Sequence, residues 1–146
     1  MDYLLKKFTL KCTTHEAWSK DKVDILAKRD YEGATLVQLE ALAQRQSAFD
    51  ADLGAHQSRV EKIVAIAEEL KLVFQLLQIS SSSSSSSSAL QYHDVDTVNK
   101  RTQDIVAEWD RLGELSTIRK DEIDVCFILF IFIPISLETI KCFKEN

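Results

Sequence analysis

Helix-breaking residues are scarce: the chain has 3 glycines and 1 proline in 146 residues. A turn-rich β fold needs many more of both, so long helices are expected. The three cysteines, Cys12, Cys126 and Cys142, are odd in number and lack CxxC spacing. They exclude a disulfide framework and fit a reducing compartment. An excess of basic charge is also missing. The net charge is −5 with both signs interspersed, which leaves no electrostatic footprint for nucleic acid. Residues 1–7 contain the basic pair Lys6 and Lys7 but no apolar run after it, so a secretory signal is not expected.

Sites for chemistry are absent as well. Glu16 is followed by Ala17 and Trp18, so no HExxH motif exists. Gly33, Gly54 and Gly113 are isolated and cannot build a phosphate loop. Residues 94–99 lack the loop glycine and closing glutamate of a calcium-binding loop. No catalytic, metal-binding or cofactor-binding residue is assigned, and neither a cofactor nor an enzymatic activity is expected.

What the chain does have is heptad periodicity, over a length that suits one domain with one core. The clearest stripe is Leu39, Leu42, Gln46, Phe49, Leu53, His56, Val60, Ile63, Ala67 and Leu70. Its alternating three- and four-residue steps predict a helix supercoiled against neighbours. Gly54 is a weak point inside it, costing about 1 kcal/mol relative to alanine. A less regular stripe precedes it: Leu4, Phe8, Lys11, His15, Trp18, Lys22 and Ile25, flanked by Leu5, Cys12 and Leu26. The pattern breaks at residues 30–33, and Thr35 is placed to cap the next helix. A third stripe reads Val95, Val98, Thr102, Ile105, Trp109, Leu112, Ser116, Arg119 and Ile123, with Asp94 or Asp96 as its cap.

These stripes predict an all-α fold: a three-helix, left-handed coiled-coil bundle running up-down-up, with helices at about 3–28, 35–71 and 94–124. The expected core is Phe8, Trp18, Leu39, Leu42, Phe49, Leu53, Val60, Ile63, Val98, Ile105, Trp109 and Leu112. Each tryptophan lies roughly 22 Å from its helix start. In parallel first and third helices the two indoles share one height, facing the midpoint of the second helix near Phe49, Leu53 and His56 and forming an aromatic layer with Phe49 and Leu53. His15 and His56 occupy seam positions where an imidazole packs and bonds a neighbour, Cys12 is a small core residue, and His93 belongs to a solvated loop.

Two stretches depart from the scheme. Residues 72–88 join an apolar segment to a serine run. Serines bury nothing and compete for backbone hydrogen bonds, so a disordered loop is expected. Its excision should leave the bundle intact, because closure cost grows slowly with loop length. Residues 125–146 form an atypical apolar tail. The uninterrupted run, 125–135, is shorter than the roughly 20 residues a membrane-spanning helix needs. Extending it brings in Glu138 and Lys141. A membrane anchor is therefore an alternative to an aggregation-prone tail, not the leading reading.

His15-Glu16-Ala17-Trp18, Asp30-Tyr31-Glu32, Ala34-Thr35-Leu36 and residues 48–53 together resemble a spectrin repeat. Residues 55–61, 65–70 and 109–115 narrow the likeness to the second rod repeat of the α-actinin family. The resemblance covers about 2–70 and 90–124. It implies one repeat over 2–124, interrupted by 72–88. Residues 71–88 and 125–146 resemble translated intron sequence. It also implies a cytoplasmic, cytoskeleton-associated structural role: a spacer and antiparallel dimerisation element of an actin cross-linking rod. The implied partners are α-actinin-type rod repeats, with actin reached only indirectly, through calponin-homology domains that this stretch lacks along with EF-hands. Outer-face charges that could set the pairing register are Lys20, Lys28, Arg29, Arg45, Glu61, Glu68, Arg101, Asp104 and Glu108. Two other readings stay open: an adaptor repeat that binds receptor tails or signalling proteins, and a small membrane-anchored helical protein.

Overall fold

The computed structural model describes residues 2–80 and 88–144, and for 88–93, 134–141 and 143 the backbone alone. Three helices account for almost all of it: α1 (Asp2–Leu26), α2 (Leu36–Ser80) and α3 (Ser88–Lys144). Every pair of helices is in contact. The described residues contain no strand.

Three layers of core side chains fix the topology. At one end Phe8 and Cys12 of α1 pack with Val60 to Phe74 of α2 and with Val98 and Ile105 of α3. In the middle Leu26, Phe49 and Leu112 meet, with Trp18, Val23, Leu53 and Leu115 against them. At the other end Tyr31, Leu39, Leu42 and Ile123 form the last cluster. Residue numbers rise together along α1 and α3 and fall along α2, so the bundle runs up-down-up. The nine residues between α1 and α2 are too few for anything but a reversal.

Local chemistry explains that reversal. Gly33 adopts φ +67°, a left-handed conformation that a β-carbon disfavours. Thr35 and Gln38 then exchange hydrogen bonds. The Gln38 amide donates to Thr35 Oγ1 (3.3 Å), and the Thr35 amide donates to Gln38 Oε1 (2.9 Å). This is a capping box that satisfies two amides with no partner inside the helix.

Three boundaries differ from the expected ones. α2 does not stop near 71 but continues to Ser80, because the heptad steps continue through it. Four residues beyond Leu70 comes Phe74, only 1% exposed in the first core cluster, so residues 72–80 are not a loop. Of the serine run, 80–88, Ser80 ends α2 and Ser88 opens α3, while 81–87 lie outside the described residues. α3 begins at Ser88, so Asp94 and Asp96 lie inside it rather than capping it, and the backbone at 93 is helical rather than looped. At its far end α3 continues beyond 124 to Lys144, where the dense apolar residues keep helical geometry through Pro134 despite its missing N–H.

Candidate functional site

Of the expected core residues, Phe8, Leu39, Leu42, Phe49, Val60, Ile63, Val98, Ile105 and Leu112 are buried. Trp18, Leu53 and Trp109 are half-buried and pack on the flanks of the clusters. Ile25, placed on the first stripe, is 38% exposed, and its neighbour Leu26 is buried in its stead.

The two indoles do meet at one height, with ring centres 6.2 Å apart. Their partners are histidines. His56 stacks on Trp18 at 3.8 Å and 10°, and His15 sits 5.6 Å from Trp18 and 6.1 Å from Trp109. Phe49 forms the adjoining cluster with Leu26 and Leu112, and Trp18 and Leu53 pack against it. His15 and His56 are 5% and 6% exposed. Neither ring nitrogen of His15 has a hydrogen-bond partner, nor does Nδ1 of His56, while His56 Nε2 lies 3.6 Å from Asp52. Burial pushes both imidazole pKa values down. For His15 the neighbouring His56 adds to this, and for His56 the Arg59 guanidinium does.

Two polar networks cross the seam elsewhere. Gln46 donates to Ser116 Oγ (2.7 Å), and that hydroxyl donates to Asp50. At the α1–α2 connection, Arg119 of α3 donates to the Lys28 carbonyl and, at 2.7 Å, to Asp30. Its guanidinium also lies 5.7 Å over the Tyr31 ring, and Tyr31 donates its phenol proton to Glu122. Desolvation, then the Glu122 hydrogen bond, pushes the phenol pKa up to about 12. The connection is thereby clamped to α3. The periodicity put Gln46, Ser116 and Arg119 on the seam; nothing in it marked Tyr31 or Glu122 as their neighbours.

The outer faces sort the suggested register charges. Arg29, Glu61, Glu68, Arg101 and Glu108 are engaged within the chain, by Glu32, Gln57, Lys71, Glu16 and Arg111 respectively. Lys28 and Arg45 line a groove between α1 and α2 of about 470 Å³, together with Lys22 and Arg119. Glu16, Asp24, Asp104 and Glu108, with Lys20 among them, line another of about 360 Å³ between α1 and α3. Cations outnumber carboxylates in the first, where Asp30 and Asp52 also lie, and carboxylates outnumber the single lysine in the second. Beyond Ile123, α3 leaves the bundle. Cys126 and Phe127 still touch the last cluster, but Ile128 to Ile133 are 44–60% exposed.

Among the described residues, no group of three or more His, Cys, Asp or Glu could hold a metal ion. Nor, among those residues, is any helix long and apolar enough to cross a membrane.

Comparison with known proteins accords with this geometry. The Spectrin repeat family profile matches residues 3–75. The chain is 40% identical over 124 residues to Alpha-actinin-3 of Bos taurus and to Alpha-actinin-1 of Homo sapiens. It is 39% identical over the same length to Alpha-actinin of Dermatophagoides farinae. Each match covers 85% of this chain and 12% of the relative, so the chain spans about an eighth of the length of these proteins. A family profile over half its length, a bundle of three helices and this identity lead to one conclusion: the chain belongs to the spectrin repeat family.

Proposed function

We propose that this chain is a structural spacer and dimerisation repeat of an α-actinin-like rod, cytoplasmic and associated with the cytoskeleton. It does no chemistry. It holds distance, and it pairs side by side with another rod repeat running antiparallel, so actin is reached only through domains elsewhere in such a rod. The observation that carries the reading is the segregation of charge onto two grooves flanking α1. Among the described residues Lys28 and Arg45 form no ion pair in one groove, and Asp24 and Asp104 form none in the other. No ion pair among the described residues uses these charges, whereas across an interface such charges set register and exclude wrong partners. Helix continuity supports the spacer role: α3 has 57 residues against 25 in α1, so it projects roughly 30 Å past the clamp.

Sedimentation velocity of this chain mixed with a rod segment of an α-actinin relative tests the pairing. A complex that dissociates with added salt, and that is lost in Asp24→Lys/Asp104→Lys, is expected. Absence of a complex at low salt, with the chain folded, contradicts the pairing. It would favour the adaptor reading, in which one helix face binds a peptide without a partner repeat.

A further inference from the structure

We propose that His15 and His56, facing each other across the Trp18–Trp109 layer, form an acid-sensitive latch that holds α1 against α2 while both imidazoles are neutral and releases it when His15 takes up a proton. The inference stands on geometry and is independent of any partner the module has. His15 is 5% exposed, and neither ring nitrogen has a partner. A protonated ring has two donors and no acceptor, so a proton there creates a buried, unpaired cation. In the closed site neither ring nitrogen meets an acceptor, so the proton favours opening.

The charges around the pair are of both signs. On α1, Lys11 and Glu16 flank His15, and Lys22 approaches His56. On α2, Arg59 and Lys62 line the His15 groove, and Asp52 lies 3.6 Å from His56. On α3, Asp104 and Glu108 line the opposite side of His15, while Asp110 and Glu114 lie in the groove behind Trp109. Glu16 is already committed to Arg101, whose Nε and Nη2 each approach it at 2.8 Å. Asp52 can accept from a protonated His56, whereas none of the carboxylates near His15 (Glu16, Asp104 and Glu108) bonds either of its ring nitrogens. His15 is therefore the element that resists the proton, and His56 moderates it by repulsion across the layer.

The linkage sign follows. Both folded imidazoles hold their proton more weakly than the ordinary value of about 6.5. The unfolded chain thus binds more protons as pH falls below that value, and stability drops with it. No carboxylate with a resolved shift titrates in that window, since Glu16 is pushed down by its Arg101 hydrogen bonds. Two indoles in the layer give a direct optical report, because an imidazolium beside an indole quenches its fluorescence.

The test is thermal melting of the full chain at pH 7.5 and 5.5, followed by tryptophan emission and far-ultraviolet circular dichroism, for the wild type and for His15→Phe/His56→Phe. The melting temperature of the wild type should fall by about 5 °C or more across this range, and that of the double variant by less than about 2 °C. Proton NMR titration of the unmodified chain, its histidines assigned by single His→Gln changes, gives a second reading that does not need the double variant to fold. His15 should titrate below the free-imidazole value. Equal pH dependence in wild type and a folded double variant, or titration of His15 at or above that value, overturns the latch.

Discussion

The indole of Trp18 lies flat against the imidazole of His56, ring centres 3.8 Å apart and planes 10° from parallel. This stack joins the middle of α1 to the middle of α2, and Trp109 closes it from α3 at 6.2 Å. Replacing Trp18 with alanine should cost about 3 kcal/mol, the low end of the range for an aromatic truncation, because the ring is half-buried. Urea denaturation of the variant, with an unchanged m-value, measures it.

Phe74 is 1% exposed and packs in the cluster that contains Phe8, Leu70 and Val98. Phe74→Ala should therefore cost about 3–5 kcal/mol. Deleting residues 71–88 should destabilise by at least as much, whereas deleting only 81–87 should leave the melting temperature nearly unchanged. Equal tolerance of the two deletions would show that the end of α2 contributes nothing to the core.

The clamp around Tyr31 predicts an alkaline effect. A phenol whose pKa rises from its ordinary value of about 10 to about 12 contributes stability that is complete below pH 10. That contribution disappears as the pH climbs from 10 towards 12. Tyr31→Phe should be destabilised by about 1 kcal/mol at neutral pH and should lack the wild type's extra loss across that interval. Chemical denaturation at pH 8, 10 and 11.5 reads both effects.

Cysteine reactivity should follow burial. Cys12 is 0% exposed, and burial pushes its thiol pKa up to about 11, whereas Cys142 is exposed and Cys126 half-buried. In native protein at pH 8 a disulfide reagent should modify Cys142 first and Cys12 only at the rate of unfolding. Rapid labelling of Cys12 would place α1 outside the bundle.

Glycine positions offer a stabilising test. Gly54 and Gly113 are exposed mid-helix residues, and a β-carbon at either meets nothing within 4 Å. Gly54→Ala and Gly113→Ala should each stabilise by about 0.5–1 kcal/mol. Gly33→Ala should destabilise, because its φ is +67°.

Heptad steps made most of the core legible in advance, from Phe8 to Leu112, because the seam of a bundle repeats with fixed period. The same steps continue through Phe74 and Cys126; the apolar density around them and the serine run obscured this, so two helices were expected to end early. The expected layer named Phe49 and Leu53, against whose cluster Trp18 does pack, but not the two histidines that touch the indole rings. Contacts set by the α1–α2 connection, such as Arg119 on Asp30 at 2.7 Å, have no sequence period and were not legible. The segregation of unpaired charge between two grooves was equally hidden, because it depends on which charges find partners inside the chain.

The central claim is that α1, α2 and α3 form one cooperative module whose layers include both tryptophans. Equilibrium urea unfolding, followed in one sample by circular dichroism at 222 nm and by tryptophan emission, tests it most directly. A single transition with coincident midpoints is predicted, since Trp18 and Trp109 share a layer while helicity reports all three helices. A tryptophan transition that precedes the loss of helicity would contradict the account, showing helices that persist without the packing described.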